Sequence, residues 1–91
     1  MNTEFILKQM QAEAVYHSLV CEYGEFVVSL SNYTVGIEVS ISVPSMGSLA
    51  YKIRDAYVGQ LGLNVGTEIL FNEQTERDIL IFKWNKPCTN L

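Results

Sequence analysis

The sequence predicts an α+β domain with a mainly antiparallel β-sheet of four to five strands and two helices packed on it. Three observations predict this class. The segment 34–43, TVGIEVSISV, places a β-branched apolar residue at every second position, which is typical of a strand with one buried face. Apolar residues recur at helical spacing on either side of that segment. Polar turns separate several further runs of strand-forming residues.

The size and composition of the chain limit the classes of protein to which it can belong. A length of 91 residues predicts a single domain over 1–91, with 85–91 as a loose C-terminal tail. Hydrophobic residues make up 48% and charged residues 18%, which is the balance of a folded protein. The chain is acidic, with a net charge of −4, and its six Lys and Arg are scattered. Because binding to a nucleic-acid backbone needs clustered cations, we expect no nucleic-acid partner.

A first helix is predicted from Thr3 to about Ala14. Negative charge is favoured in the first turn, where Glu4 lies. The apolar face predicted for this helix carries Phe5, Ile6, Met10 and Ala14.

The next segment, 15–22 with the sequence VYHSLVCE, is compatible with two structures. As a strand it makes 22–25 a hairpin turn, and the element order is α-β-β-β-α-β-β. As a continuation of the helix it ends at Gly24, a residue common just after a helix, and the order is α-β-β-α-β-β. We prefer the strand because β-forming residues dominate the segment.

The remaining strands are predicted over 26–31, 34–43, 67–72 and 78–84. The third of these contains ILF and the fourth contains ILIF, runs that are apolar on both faces. Such runs are typical of interior strands or of strands covered on both sides. The second helix is predicted from Ser45 to about Leu61.

Few residues indicate catalysis or metal binding. His17 is the only histidine and no nucleophile motif accompanies it, so we expect neither an enzyme nor a cofactor. A metal site built from His17, Cys21 and Cys88 lacks the fourth ligand that structural zinc needs, and no metal is expected. The acidic loop 73–78 is interpreted as a solvated hairpin loop rather than a cation site.

The turn 44–48, with the sequence PSMGS, leads into the second helix, and a helix N-terminus attracts anions. It lacks the spacing of a phosphate loop, and helix capping explains its serines without a ligand. The candidate anion-binding residues are Ser45, Gly47, Ser48 and Lys52.

The outward side of the strands at 26–31 and 34–43 carries small residues, which let another element approach closely. Either the N-terminal helix covers this side, or a partner protein or a second copy does. Tyr23 and Tyr33 fall in predicted turns, and tyrosine is favoured at interfaces. The candidate partner-binding residues are Tyr23, Val27, Ser29, Tyr33, Glu38, Ser40 and Ser42.

These features favour a small non-enzymatic protein that binds another protein as an inhibitor or regulator. An antitoxin-like or virus-encoded anti-defence factor fits this description, although no motif indicates one. The alternatives are a homo-oligomeric accessory or structural subunit and a small-ligand or nucleotide-binding module that uses the Pro44–Ser48 turn. The first residues do not resemble a signal peptide, and no apolar run is long enough to span a membrane. We therefore expect a cytoplasmic location, in the protein's own cell or in the cytoplasm of a host cell.

Overall fold

The computed structural model describes residues 3–61 and 65–86. Its elements are α1 (Thr3–Tyr23), β1 (Val27–Asn32), β2 (Gly36–Pro44), α2 (Leu49–Leu61), β3 (Gly66–Asn72) and β4 (Arg77–Asn85). The predicted α+β class is confirmed, with the order α-β-β-α-β-β and four strands.

All neighbouring strands of the sheet are antiparallel, and their order is β1-β2-β4-β3. The two nine-residue strands β2 and β4 therefore lie at the centre, and the shorter β1 and β3 form the edges. Both helices pack on one side of this sheet, which we call the inner face.

The preferred strand at 15–22 is wrong, because α1 continues through this segment to Tyr23. Val15 and Leu19 are one helical turn apart and lie in the core, 3% and 0% exposed. Burial of this helical stripe outweighs the local β-propensity of the segment, as tertiary packing commonly does. Gly24 follows the helix, and a Cβ there would lie 2.6 Å from the Val20 carbonyl oxygen. The residues 22–25 accordingly form a helix-to-strand connection and not a hairpin turn.

The apolar face predicted for α1 is also largely wrong. Phe5 packs partly buried against the core, but Met10 is 60% exposed and Ile6 and Ala14 are exposed as well. The buried stripe instead runs through Ala12, Val15 and Leu19. Positions 6, 10 and 14 lie on the opposite side of a helix with 3.6 residues per turn, so the continuation to Tyr23 decides which side is buried.

Alternate residues of the strands build the core on the inner face. Its largest fully buried side chains include Val39 and Ile41 of β2 and Leu80 and Phe82 of β4, which are paired in register across the centre of the sheet. Of the alternatives for the opposite side of the sheet, coverage by the N-terminal helix is the one that the structure excludes, because α1 lies on the inner face with α2.

Polar contacts fix the two helices in place over this core. The Trp84 indole Nε1–H of β4 donates to Gln11 Oε1 of α1 at 2.8 Å. The hydroxyl oxygens of Ser18 in α1 and Tyr57 in α2 are hydrogen bonded at 2.7 Å, which joins the helices directly. Burial raises the pKa of the Tyr57 hydroxyl above its ordinary value, and the hydrogen bond with Ser18 opposes this rise.

Several predicted boundaries move. Val35 is 76% exposed and lies in the β1–β2 turn, which Tyr33 and Gly36 close with reciprocal backbone hydrogen bonds of 2.8 and 3.3 Å. The helix α2 begins at Leu49 instead of Ser45 because the two residues before it have positive φ angles. Asn85 ends β4 instead of opening the tail, and the tail residues 87–91 lie outside the described residues.

Candidate protein-interaction surface

The side of the sheet opposite the helices is its outer face. Side chains alternate across a strand, so the residues between the core positions point to this side. Its residues are Val27, Ser29, Ser31, Gly36, Glu38, Ser40, Ser42, Pro44, Gly66, Glu68, Leu70, Asn72, Arg77, Ile79, Ile81, Lys83 and Asn85. No helix or strand formed by residues 3–61 and 65–86 covers the outer face.

The strand register arranges these residues in rows that cross the sheet. The first row is Val27, Ser42, Ile79 and Leu70. The second row is Ser29, Ser40, Ile81 and Glu68. The third row is Ser31, Glu38, Lys83 and Gly66. The centre of the outer face thus has small serines on β2 beside large isoleucines on β4.

Apolar side chains contribute much of the first two rows. Val27 on one edge is 70% exposed and Leu70 on the other is 46% exposed. Ile79 and Ile81 between them are half-buried by their neighbours within the sheet. The apolar residues of the first row therefore lie on both edges and on β4, with Ser42 of β2 between Val27 and Ile79.

The serines at the centre already have hydrogen-bond partners in their own chain. The Ser29 and Ser40 hydroxyl oxygens are 3.2 Å apart, and either can donate. Arg77 donates from Nε to the Ser42 hydroxyl oxygen and from Nη2 to the Ser42 carbonyl oxygen, both at 2.8 Å. Because these polar groups are paired within the chain, covering them with another surface costs less than covering unpaired hydroxyls would.

The charged residues of the outer face are two acids and two bases. Lys83 Nζ lies 2.6 Å from Glu68 Oε1, in an ion pair whose members are both partly exposed. The hydrogen bond with Glu68 raises the pKa of Lys83, and the negative charge of Glu38 adds to this effect. Since Arg77 balances Glu38, the outer face is neutral, and the chain's net charge of −4 comes from residues elsewhere.

The structure brings five of the seven predicted partner-binding residues together on the outer face: Val27, Ser29, Glu38, Ser40 and Ser42. Tyr33 lies beside them in the β1–β2 turn and is 49% exposed. Tyr23 does not belong to this group, because it ends α1 and packs partly buried against the core.

Sequence reasoning missed the contribution of β3 and β4 to this surface. Ile79 and Ile81 lie beside the predicted serines only because β2 pairs with β4, and strand order is not visible in the sequence pattern. The ILIF run of the last strand, which is apolar on both faces, was the one feature of the sequence that could have indicated this part of the surface.

Of the candidate anion-binding residues, Ser45 has its hydroxyl and its backbone N–H bonded within the chain. The Ser45 hydroxyl and backbone N–H both donate to the Glu76 carbonyl oxygen, at 3.0 and 3.1 Å. The Ser48 carbonyl oxygen accepts from the Lys52 backbone N–H at 3.2 Å, which begins α2. Gly47 adopts a φ of 85° in the turn between them, a conformation that glycine tolerates best.

Among residues 3–61 and 65–86, no group of three His, Cys, Asp or Glu side chains could hold a metal ion. His17 and Cys21 are exposed on α1, and Cys88 lies outside the described residues. Asp78 does not belong to a solvated loop as expected, because it is 6% exposed on the inner face of β4. Neither helix of the described part of the chain is long and apolar enough to cross a membrane.

A second apolar surface, the helix stripe, lies on the solvent side of α1. It consists of Ile6, Leu7, Met10 and Val20, which are 37%, 60%, 60% and 40% exposed. The helix stripe and the outer face lie on opposite sides of the molecule, since α1 packs on the inner face.

Comparisons of this chain with protein-family models, with curated proteins and with solved structures return no match. Any functional argument for this protein therefore depends on its own surface chemistry.

Proposed function

We propose that this chain is a small non-enzymatic protein-binding protein, an inhibitor or regulator of another protein, and that the outer face is its interaction surface. One observation carries the proposal. The strand β4 is apolar on both sides at ILIF, as strands covered on both sides are, whereas the helices of the described residues cover only its inner side.

The composition of the outer face supports the same function. Protein interfaces combine an apolar centre with a polar rim and are enriched in tyrosine. Ile79 and Ile81 supply the centre, the charged residues Glu38 and Lys83 lie in the third row, and Tyr33 lies in the β1–β2 turn.

A homo-oligomeric accessory subunit is a second candidate function, favoured by the distribution of large and small side chains on the outer face. No observation favours the nucleotide-binding alternative, because the Ser45 hydroxyl is bound to the Glu76 carbonyl oxygen. A viral origin, an anti-defence role and a cytoplasmic location stay predictions.

Affinity capture from a cell lysate with three forms of the chain tests the proposal. The wild type is compared with Ile81→Glu, which puts a charge in the centre of the outer face, and with Leu7→Glu, a matched change on the helix stripe. We expect the wild type and Leu7→Glu to retain the same protein and Ile81→Glu to lose it. Equal capture by Ile81→Glu would exclude the outer face as the binding surface.

A further inference from the structure

We propose that the partner on the outer face is a second copy of this chain, related by a two-fold axis that runs parallel to the strands midway between β2 and β4. The inference shares with the proposed function only the outer face as an interaction surface, and it favours the second candidate function, the homo-oligomeric subunit. Such an axis stacks two sheets face to face, as in a β-sandwich with its inner side chains interdigitated.

This axis makes the shapes of the two surfaces complementary. In the dimer, each outer-face residue of β2 lies opposite a β4 residue of the other copy. That β4 residue has the same position as the one with which it pairs in register within its own chain. Ser42 then faces Ile79 and Ser40 faces Ile81. A large side chain meets a small one where Ser40 of each copy faces Ile81 of the other, as interdigitation across a sandwich needs. At Ser42 the Arg77 guanidinium, which donates to the Ser42 hydroxyl oxygen, shares the space with Ile79 of the other copy.

The same axis also pairs the charges. Glu38 and Lys83 are in register, so Glu38 of each copy faces Lys83 of the other, giving two pairs of opposite charge per dimer. Within its own chain Lys83 is bonded to Glu68, and Glu38 forms no ion pair with another of the described residues. Because the outer face is neutral, the net charge of −4 does not concentrate at the contact.

The edge strands agree with this arrangement. Val27 of β1 and Leu70 of β3 end the first row on opposite edges, so the axis places Val27 of one copy against Leu70 of the other. The two most exposed apolar residues of the outer face, at 70% and 46%, would thereby bury one another.

A two-fold axis across the strands gives a poor fit. A two-fold axis along the second row places the first row of one copy against the third row of the other, with each strand facing the same strand of the second copy. It places Ile79 opposite Lys83, an apolar side chain against a charge, and leaves Glu38 opposite Ser42. The axis parallel to the strands is therefore the one that the side chains favour.

The contact area is sufficient for a specific but dissociable dimer. Four strands about 4.8 Å apart and about 25 Å long present on the order of 500 Å² per copy, or about 1,000 Å² in total. Specific interfaces bury roughly 1,000 Å² or more. We therefore expect the dimer to dissociate on dilution.

Sedimentation equilibrium of the full chain over a wide range of protein concentration tests the inference. The wild type should move from the monomer mass of 10.3 kDa towards twice that mass as its concentration rises. Ile81→Glu should stay monomeric, while Leu7→Glu should dimerise like the wild type. Circular dichroism establishes that each variant is folded. Should Ile81→Glu not fold, Glu38→Lys takes its place, because it sets a second positive charge against Lys83 of the other copy.

Two results would overturn the inference: a wild type that stays at 10.3 kDa at every concentration, or a dimer that Ile81→Glu and Glu38→Lys leave intact. A monomeric wild type would not remove the proposed function. The outer face would then bind a different protein, and the capture experiment with the same variants decides that question separately.

Discussion

The two faces of the sheet are built from the same four strands but differ in how their large side chains are distributed. On the inner face both central strands carry large apolar residues, and Ile41 and Leu80 are fully buried beneath the helices. On the outer face β2 carries serines and β4 carries isoleucines. A face that is large throughout fits helices, whereas a face that is large on one strand and small on the next fits a rotated copy of itself.

The two faces of the sheet differ in how their apolar residues are covered. The inner side of the two central strands is explained by folding alone, because its apolar residues are covered within the chain. The outer face keeps Val27 and Leu70 exposed, and no element of the described part of the chain covers them. We therefore expect substitutions on the inner face to change stability and those on the outer face to change association.

The largest effect is expected from Phe82→Ala. Phe82 is 0% exposed and its ring lies 5.8 Å from that of Tyr57 between centroids. Removing a buried phenyl group costs about 3–5 kcal/mol of the free energy of unfolding. Urea denaturation measures this loss, with the outer-face neighbour Ile81→Ala as the control in dilute protein. Similar losses for the two variants would contradict the expectation that only inner-face substitutions change stability.

A smaller loss of stability is expected from Gly36→Ala, an exception on the outer face because at this position the β4 backbone leaves no room for a Cβ. A Cβ at Gly36 would collide with the Trp84 carbonyl oxygen, so the strands would have to shift. Forcing extra atoms into a packed site costs about 1–3 kcal/mol. Gly59→Ala is the matched control, since a Cβ there meets nothing within 4 Å, and it should stabilise α2 by about 0.5–1 kcal/mol. Thermal melts that rank the two variants in the reverse order would contradict the packing described here.

Removing the hydroxyl that links the helices above the inner face should cost less. Tyr57→Phe deletes the hydrogen bond to Ser18, which is worth about 1 kcal/mol near neutral pH. The effect also depends on pH, because burial raises the pKa of Tyr57 above 10.0 in the folded state. Tyr57 ionises at a lower pH in the unfolded chain than in the folded chain. The contribution of its hydroxyl to the free energy of unfolding is therefore complete below about pH 10 and is lost as the pH rises through the folded pKa.

Urea denaturation at neutral pH and above pH 10 checks this pH dependence. The stability advantage of the wild type over Tyr57→Phe should shrink at the alkaline pH. An advantage that grows with pH would show that the hydroxyl is not held in the protonated form by burial.

The smallest effect is expected on the helix stripe. Leu7→Gln replaces a side chain that is 60% exposed, so the free energy of unfolding should change by no more than about 0.5 kcal/mol. Dimerisation measured by sedimentation should also be unchanged, since the stripe lies on the opposite side from the outer face. A loss of association in this variant would move the interaction surface from the sheet to α1.

Much of the inner face could be predicted from the sequence, because an alternation of period two identifies the buried side of a strand directly. Ile37, Val39, Ile41 and Val43 are all buried as this pattern indicates. Val35 follows the same pattern but is exposed, since the β1–β2 turn closes one residue later in the chain, at Gly36. The extent of α1 was not predictable from the β-forming residues at 15–22, whose helical stripe gains its stability from packing on the sheet.

The outer face could be predicted only in part. Ser29, Ser40 and Ser42 were identified because they alternate with core residues within their own strands. Their neighbours Ile79 and Ile81 come from a strand far away in the chain, and only the register shows that large and small residues stand side by side. Whether the outer face is complementary to a second copy depends on which strands pair, so no single segment of the sequence indicates it.

Mixing two charge-reversed variants tests whether β2 of one copy lies against β4 of the other. Glu38→Lys and Lys83→Glu each oppose like charges across the proposed axis, so each alone should sediment as a monomer of 10.3 kDa. In an equimolar mixture the lysine introduced at position 38 of one variant faces the glutamate introduced at position 83 of the other. The unchanged Lys83 of the first variant faces the unchanged Glu38 of the second, so both pairs of opposite charge are restored. We predict a mixed dimer of twice the monomer mass. A mixture that stays monomeric, although the wild type dimerises, would contradict the pairing of β2 with β4 across the outer face.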